Sequence, residues 1–429
     1  MRILTVCRSL GLGGTERAAE TFTLGYRDAG HEVGVLNLGL GGAREENLQR
    51  HDVPIFCARE DFDEALVHAD RFDPDFVHIH RRGQADAIES MVLRRLRTGR
   101  RRVLETNVFA WADYSAAAEL IDVHLPLSHW CLWAWRRRLG PISQKSPGVF
   151  VPNPLGASQF RRSSADAIAG FRAKWVGMDA TFICGRVGQP LPGKWHPANI
   201  LSFLPVARKD PKAFLLLIGL PDSLRPLLAK LPSDVRARIR ELPMTASDEE
   251  LSLFYSSLDC FLHAASQGES FGYILAEAMM CGCPVVTVST PLRDNSQIEV
   301  VGHMQGGLVA ASYNELGRAV LQLWQDRQLR DEIAITCRRR IVESCEVGLL
   351  VKRVIRVAEV ARDHDNKLSL KRALECDHSL VTAVADEEIR GLAANVFGAA
   401  RLRDSLLLNI ANSRIEHKLR QLVRRTLGH

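Results

Sequence analysis

The chain has 429 residues, of which 46% are hydrophobic and 25% are charged, and its net charge is +6. This length suits two ordinary domains with an added segment, and the composition excludes the disordered and fibrous classes. No run approaches the roughly 20 apolar residues of a membrane span. The first residues, MRILTVCRSLGLGG, lack the features of a signal peptide. We therefore expect a cytoplasmic protein.

Ten cysteines are scattered along the chain, and only Cys281 and Cys283 stand close together. Their C-x-C spacing differs from the C-x2-C spacing of a zinc site. Most of the cysteines stand among apolar residues, where a free thiol behaves as a small hydrophobic side chain. We expect buried thiols and no metal site.

Residues 1–155 alternate strand-like and helix-like segments. A Gly-rich turn precedes a predicted helix from about Glu16 to Gly30. The strand-like segments are residues 2–7, 33–38, 75–80 and 103–109. Strands that alternate with helices are typical of a parallel, doubly wound α/β sheet. The pattern predicts a Rossmann-like domain over 1–155.

The same alternation starts again after VPNPLG, residues 151–156, where two prolines favour extended backbone. It predicts a second Rossmann-like domain over 156–345. A helix over 346–362 is expected to cross back to the first domain, and residues 363–429 are expected to form a helical tail. The strand-like segments of the second domain are residues 181–188, 213–219, 259–264 and 283–289.

Two doubly wound domains also predict where a ligand binds. Open parallel sheets bind their ligands at the carboxyl ends of the strands. We therefore expect two domains that face a cleft, with the ligand site in that cleft.

The most informative segment is HAASQGESFGYILAEAMMCGCPVV, residues 263–286. Apolar residues at helical spacing predict a helix over about 270–281. A helix N-terminus carries unpaired N–H groups and partial positive charge, so that it binds anions such as a diphosphate. Eight residues of helix, from Glu269 to Glu277, rise about 12 Å. That span suits an acid at the sugar and an acid at the ribose of a nucleotide sugar.

This segment resembles the signature of glycosyltransferase family 4 (glycosyl transferases group 1), in which seven residues separate two glutamates in an E-S-F-G context. The resemblance implies a GT-B fold, a nucleotide-sugar donor and retention of the anomeric configuration. It implies that Glu269 lies by the donor sugar and that Glu277 holds the ribose hydroxyls. It also implies that Phe271 and Gly272, with the adjacent Ser270, bind the distal phosphate.

Further matches to the family follow the first strand of each domain. Arg186 and Lys194 stand where the family carries two cations that bind the leaving diphosphate, whose charge they would stabilise. Seven residues separate them, which is longer than usual, and Trp195 replaces the usual Gly. Gly13 and Gly14 resemble the Gly-Gly loop that the family places near the distal phosphate.

Three further positions are candidates for sugar contacts. Asn295 has an amide that can exchange hydrogen bonds with donor hydroxyls, or it caps a turn. Asn107 stands where many family members carry a histidine, and it cannot titrate near pH 7. Asn107 and His80 are candidate acceptor contacts, although His80 is also compatible with a place in the core or at a strand end.

The sequence thus predicts a metal-independent hexosyl- or pentosyltransferase, with Glu269, Arg186 and Lys194 as catalytic residues. It predicts no cofactor besides the donor substrate, no nucleic-acid partner, and a polysaccharide, lipid-linked or small glycoside acceptor. The alternatives are a GT-B-like sugar-nucleotide-binding protein without turnover and a GT-B phosphorylase or sugar-nucleotide synthase. An NAD-dependent oxidoreductase fits less well, because Glu16 stands where the third Gly of G-x-G-x-x-G belongs.

Positive charge is concentrated at Arg136–Arg138, in the tail and in one arginine cluster. Residues 401–429 carry seven basic and two acidic residues, a net charge of +5, beside an apolar stripe. We expect residues 401–429 to form a basic amphipathic helix. This helix lies on the inner face of an anionic membrane, or its apolar stripe packs on the first domain or on a partner subunit. The oligomeric state stays open. The arginine cluster, which could join the same face, comprises Arg94, Arg95, Arg97, Arg100, Arg101 and Arg102.

Overall fold

The chain forms two compact units, as the two-domain α/β prediction required. A computed structural model describes residues 1–245 and 247–427, the last four of these by their backbone alone. The first unit comprises Met1–Pro154, Cys345–Ile389 and the chain from Asn409 onward. The second unit comprises Leu155–Ser344 and Arg390–Leu408. The predicted fold class, two doubly wound α/β units with a helical C-terminal region, is confirmed.

Each unit is built on a six-stranded parallel sheet. The strands of the described residues are β1 (Arg2–Cys7), β2 (Glu32–Asn37), β3 (Ile55–Cys57), β4 (Phe76–Arg81), β5 (Arg102–Asn107), β6 (Val123–Pro126), β7 (Phe182–Val187), β8 (Ala213–Ile218), β9 (Ile239–Leu242), β10 (Cys260–His263), β11 (Val285–Val288) and β12 (Gly307–Ala310).

The strand orders make both sheets doubly wound. The first sheet runs β3-β2-β1-β4-β5-β6 and the second runs β12-β11-β10-β7-β8-β9. The direction of winding reverses between β1 and β4 in the first sheet and between β7 and β10 in the second. Such a switch point opens a crevice at the carboxyl ends of its two strands, and ligands of open sheets bind there.

The sequence predicted four strands in each sheet, and the two missing strands are the edge strands in both. These are β3 and β6 in the first sheet and β9 and β12 in the second, each three or four residues long. Strands this short carry too few residues for an apolar run or an alternation to stand out. The prediction was therefore right for the buried centre of each sheet and wrong at its edges.

Helices cover both faces of the sheets. They are α1 (Gly14–Asp28), α2 (Ala43–Arg50), α3 (Phe62–Arg71), α4 (Ala87–Leu96), α5 (His129–Leu139), α6 (Ala165–Trp175), α7 (Ala198–Leu201), α8 (Leu204–Ala207), α9 (Arg225–Ala229), α10 (Ser233–Arg236), α11 (Asp248–Ser256), α12 (Tyr273–Met280), α13 (Gln297–Val301), α14 (Tyr313–Gln325), α15 (Arg327–Cys345), α16 (Val347–Arg362), α17 (Lys367–Cys376), α18 (Asp386–Ala394), α19 (Leu402–Ala411) and α20 (Arg414–Leu427). None of the helices in the described residues has the length and apolar character needed to cross a bilayer.

The core of the first unit includes helix α16, which comes from the far end of the chain. Its residues Leu350, Val354 and Val357 are fully buried beside Phe22 and Tyr26 of α1. The two helices touch at Gly25, where a Cβ atom would lie 2.7 Å from Cγ2 of Val347. Only a residue without a side chain permits this approach. The helix predicted over 346–362 is thus part of the first unit.

The predicted tail, residues 363–429, divides between the two units. Helices α17 and α20 belong to the first unit, whereas Arg390–Leu408 belongs to the second. Within the second unit, Phe397 extends the sheet beyond β12. Its N–H donates to the carbonyl of Val309 at 2.6 Å, and its carbonyl accepts from the N–H of Ala311 at 2.9 Å. This pairing covers part of an otherwise open sheet edge.

The cysteines are free thiols in the described structure, and most of them are buried as expected. Only Cys376 is exposed, and Cys57 is half-buried. Burial raises the pKa of the Cys281 thiol to about 12. A thiol that stays protonated at neutral pH packs as an apolar group.

Leu350→Ala should destabilise the first unit by about 2–5 kcal/mol, because it removes a fully buried side chain and leaves a cavity between α16 and the sheet. Urea unfolding followed by circular dichroism measures this change. Leu349→Ala on the same helix removes a side chain that is 40% exposed, and it should change stability little. Equal effects of the two substitutions would contradict the packing described for α16.

Candidate active site

Five polar side chains meet at the switch point of the second sheet. Arg186 lies near the carboxyl end of β7, and His263 is the last residue of β10. The loop after β7 carries Lys194, and the loop after β10 carries Glu269. Thr287 of β11 pairs with His263 in the strand register. The apolar runs that form the three strands therefore deliver polar groups to one edge of the sheet.

Glu269 is the centre of this group, and both of its carboxylate oxygens have partners. Its Oε2 lies 2.9 Å from Nζ of Lys194, and its Oε1 lies 3.3 Å from Nε2 of His263. Its backbone N–H donates to Oε1 of Gln297 at 3.1 Å. The side chain is only 7% exposed. These contacts fix the orientation of the carboxylate.

The charge states of this cluster follow from burial and from the neighbouring groups. Burial raises the pKa of Glu269, but the Lys194 ammonium and the hydrogen bond from His263 outweigh burial and lower it to about 2. Burial lowers the pKa of His263 to about 4, although Glu269 opposes this. At neutral pH Glu269 is therefore an anion and His263 is neutral.

These charge states also fix the tautomer of His263. An ionised carboxylate can only accept, so Nε2 of His263 carries the proton and donates to Glu269. Nδ1 then accepts from the Thr287 hydroxyl at 2.9 Å. A chain of donors from Thr287 through His263 thus ends on the Glu269 carboxylate.

Arg186 is a fully buried cation with spare hydrogen-bonding capacity. Its Nη2 donates to the carbonyl of Lys194 at 2.7 Å. Its Nε and Nη1 have no hydrogen-bond partner among the described residues. Burial lowers the pKa of Arg186 to about 10, which leaves the group charged at neutral pH. A buried guanidinium with two available N–H groups is suited to bind an anionic oxygen.

Trp195, which departs from the family pattern, packs against this arginine. The Arg186 guanidinium carbon lies 5.1 Å from the centre of the Trp195 ring, within the range of a cation–π interaction. The indole N–H donates to the carbonyl of Gln189 at 3.0 Å. The unusual residue therefore supports the loop that holds Lys194.

Helix α12 begins at Tyr273, and the predicted start near Ser270 was wrong. Gly272 precedes the helix with φ of +90°, a left-handed conformation that other residues rarely adopt. Helical backbone cannot continue through such a residue, so Ser270 and Phe271 lie in the loop. The predicted distance of about 12 Å between Glu269 and Glu277 assumed a continuous helix. That assumption was wrong, because only the part of this segment from Tyr273 onward is helical.

Glu277 lies on α12 and is almost completely buried, at 3% exposure. Its Oε2 accepts a hydrogen bond of 2.9 Å from the Tyr255 hydroxyl of α11. This contact holds the carboxylate in one position.

Asn295 uses its amide to hold the loop after β11. It is fully buried, its Oδ1 accepts from the N–H of Thr290 at 2.7 Å, and its Nδ2 donates to Oγ of Ser289 at 3.3 Å. The turn-capping alternative thus describes these contacts, and a direct contact of Asn295 with the donor stays a prediction. The neighbouring Ser296 donates its N–H to the carbonyl of Glu269 at 2.9 Å, which joins this loop to the loop after β10.

The remaining candidates lie in the first unit. Gly13 is the N-cap of α1 and Gly14 is its first residue, at the carboxyl side of β1. Asn107 ends β5, and its Nδ2 donates to the carbonyl of Trp111 at 2.9 Å. His80 is buried in β4, and burial lowers its pKa to about 3. Acceptor contacts by Asn107 and His80 stay predictions.

Sequence reasoning missed the residues that hold Glu269 in place, namely His263, Thr287 and Gln297. One signal was available for the first two. His263 opens the motif, and Thr287 belongs to the next strand-like segment, so a parallel pairing of the two strands would have placed both residues at one sheet edge. No local pattern indicated that Gln297 contacts Glu269, because this contact depends on how the start of α13 meets the loop after β10.

The second unit matches a known family in sequence. Residues 196–340 match the family model described as glycosyl transferases group 1. No curated protein matches this chain in sequence. The matched range includes Glu269 and Glu277 and begins just after Lys194.

Solved structures show the same fold over most of the chain. HepE of Anabaena in complex with UDP-glucose has a TM-score of 0.67 and 18% identity, covering 84% of this chain and 99% of that one. A glycosyltransferase of Rickettsia africae has a TM-score of 0.68 and 13% identity, covering 84% and 98%. Sucrose-phosphate synthase of Thermosynechococcus elongatus has a TM-score of 0.62 and 16% identity, covering 84% and 98%.

The second unit should lose stability as the pH falls from about 6.5 to about 4, and His263 should contribute to this loss, because burial lowers its pKa to about 4. In this range the unfolded chain binds a proton that the buried imidazole does not bind. His263→Gln removes this proton uptake, so its unfolding midpoint should depend less on pH than that of the wild type. Glu269, with its lowered pKa, contributes only below about pH 4.5.

Thermal unfolding at several pH values in this range measures the effect. His68→Gln, at a half-exposed position in the first unit, is the matched control and should follow the wild type. Identical pH profiles for His263→Gln and the wild type would show that the imidazole is not held neutral by burial.

The fold and the matched segment agree with each other. Both units are doubly wound, the structural neighbours are GT-B glycosyltransferases, and the family match covers the part of the second unit that holds Glu269 and Glu277. The chain therefore has the two-unit α/β fold of these proteins, and its residues 196–340 match glycosyl transferases group 1.

Proposed function

We propose that the second unit binds a nucleotide-sugar donor and that Arg186, Lys194 and Glu269 act directly in sugar transfer. The observation that carries this proposal is that Arg186 is a buried cation whose Nε and Nη1 donate no hydrogen bond to any described residue. It stands at a sheet switch point, beside the ion pair of Lys194 and Glu269. That position is where an open sheet binds an anionic ligand.

The cations have a clear task in this reaction. As the bond between the sugar and the diphosphate breaks, negative charge develops on the leaving oxygen. Arg186 offers a forked pair of donors, and Lys194, which is 33% exposed, offers a point charge. The N–H groups at the start of α12, near Phe271 and Gly272, add partial positive charge. Together they stabilise the leaving group.

Glu269 holds the donor sugar, because it is ionised and cannot supply a proton at neutral pH. Its carboxylate can accept hydrogen bonds from sugar hydroxyls while His263 and Lys194 orient it. We propose retention by attack on the same face of the sugar. The bond from the anomeric carbon to the phosphate breaks, the bond to the acceptor oxygen forms, and the acceptor proton passes to the leaving phosphate.

Glu277 is proposed as the ribose ligand. A UDP-glucose complex is known for the Anabaena protein of similar fold, so UDP is the first nucleotide to test. Glu277→Gln keeps the volume and loses the charge, and it should weaken UDP binding by about 1–3 kcal/mol, since a hydrogen bond to a charged group is lost. Isothermal titration calorimetry measures this difference.

Glu332→Gln, at an exposed position on α15, is the matched control and should bind UDP as the wild type does. Tyr255→Phe removes only the hydroxyl that holds Glu277, and it should have a smaller effect than Glu277→Gln. Unchanged UDP affinity in a folded Glu277→Gln variant would rule out the ribose role.

Sugar transfer is proposed to need no metal ion, because two protein cations and a helix N-terminus neutralise the diphosphate. Donor turnover should therefore persist in excess EDTA and should not rise with added Mg²⁺ or Mn²⁺. Release of UDP from UDP-glucose, with and without chelator, is the measurement. Loss of turnover in EDTA and recovery with Mg²⁺ would contradict this account of the diphosphate site.

The acceptor is proposed to be a glycan, a lipid-linked sugar or a small glycoside, and the donor sugar a hexose or a pentose. A panel of nucleotide sugars in a thermal-shift assay narrows the donor first, since a ligand that binds only the folded state raises the melting temperature. Tight donor binding without hydrolysis or transfer to any acceptor would favour a sugar-nucleotide-binding protein without turnover.

A further inference from the structure

Helix α20 of the first unit presents its apolar residues to solvent. Ile415 is 75% exposed, Leu419 57%, Leu422 61% and Val423 54%. At 100° per residue they fall on one side of the helix, within about a quarter to a third of its circumference. Of the three sequence-based alternatives, packing on the first domain was wrong for these four residues, whereas the membrane and the partner subunit stay open.

The opposite side of α20 is polar and faces the first unit. Nε2 of His417 accepts from the N–H of Ala112 at 3.1 Å, and the Gln421 amide donates to the carbonyl of Ala112 at 3.0 Å. Lys418 lies over the ring of Tyr114, 5.1 Å from its centre. Surface helices usually bury their apolar side. This helix is attached by hydrogen bonds and turns its apolar side outward.

The other basic segments of the first unit are largely neutralised by acidic residues. Arg97 makes two hydrogen bonds of 2.9 Å to Asp122, and Arg101 pairs with Asp70 and Asp73. Arg137 pairs with Asp386 at 3.3 Å. Their acidic partners cancel much of this positive charge, whereas the α20 sequence contains one acidic residue, which pairs with Arg420.

The charge of α20 indicates what kind of partner binds its exposed apolar residues. Its sequence contains five basic residues and one acidic residue, a net charge of +4. A second copy of the chain would bring two positive helices together, which like-charge repulsion opposes. A partner protein that enclosed α20 in a groove would also have to contact the inner side of the helix. There His417 and Gln421 are already hydrogen-bonded to Ala112.

We propose that α20 is a membrane-docking helix that lies flat on an anionic lipid surface. Ile415, Leu419, Leu422 and Val423 enter the boundary between headgroups and acyl chains, and the net positive charge of the helix sequence attracts the anionic headgroups. A flat surface needs only the exposed side of the helix, so the hydrogen bonds to Ala112 persist in the bound state. This surface acts independently of the donor chemistry proposed above.

Vesicle co-sedimentation of the full-length chain tests the proposal. Wild-type protein should sediment with vesicles of phosphatidylglycerol and phosphatidylcholine at low salt, and not with pure phosphatidylcholine. High salt should weaken binding, since it screens the charges. The double variant Leu419→Ser/Leu422→Ser should bind the anionic vesicles about tenfold more weakly, because two inserted side chains are lost.

The matched control is Met178→Ser/Leu191→Ser, which removes two exposed apolar side chains of the second unit, 77% and 52% exposed. It should bind anionic vesicles as the wild type does. Circular dichroism melting establishes that both double variants remain folded. Failure of the wild type to bind anionic vesicles at low salt would overturn the proposal. So would a wild-type dimer, seen by light scattering, that Leu419→Ser/Leu422→Ser converts to a monomer.

Discussion

The ionised Glu269 carboxylate is held between a lysine and a neutral histidine at the switch point of the second sheet, and the rest of the site is arranged around it. A buried carboxylate is stable as an anion only where cations and donors compensate its lost hydration. Lys194 and His263 supply that compensation here. The loop after β7, which carries Lys194, and the loop after β10, which carries Glu269, must therefore meet beside His263 at the end of β10.

This convergence explains several features that have no obvious use alone. The side-chain amide of Asn295 accepts and donates hydrogen bonds within the loop after β11. This loop leads to Gln297, whose Oε1 accepts a hydrogen bond from the Glu269 N–H. Gly272 stops α12 from extending backward, which leaves Ser270 and Phe271 free to form a loop beside the carboxylate. Trp195 covers the buried Arg186. Each of these residues shapes the surroundings of a charged side chain.

In the first unit, helices from the C-terminal part of the chain pack beside the N-terminal segment, and they are attached in two different ways. Helix α16 joins through an apolar face and needs Gly25 for close approach, whereas α20 joins through hydrogen bonds to Ala112. The first attachment resembles ordinary core packing. The second leaves an apolar stripe uncovered, which is why α20 is the part of the unit most suited to a partner outside the chain.

The sequence by itself determined the two doubly wound units and the segment that holds Glu269 and Glu277. Central strands are long apolar runs, and the apolar face of α12 recurs at helical spacing, so both signals are local. The left-handed turn at Gly272 was not visible, because a glycine permits that conformation without requiring it. The short edge strands were not predicted, because three or four residues are too few to show an apolar run or an alternation of apolar and polar residues.

Only the tertiary structure decided which side chains meet. The partners of Glu269 come from the loop after β7, the end of β10 and the start of α13. His263 and Thr287 meet only because strands β10 and β11 lie side by side. The tail shows the same limit. An amphipathic pattern states that one side of α20 is apolar, but the polar contacts of His417 and Gln421 decide which side faces inward. Contacts between residues far apart in the chain depend on the completed fold, and no local pattern contains them.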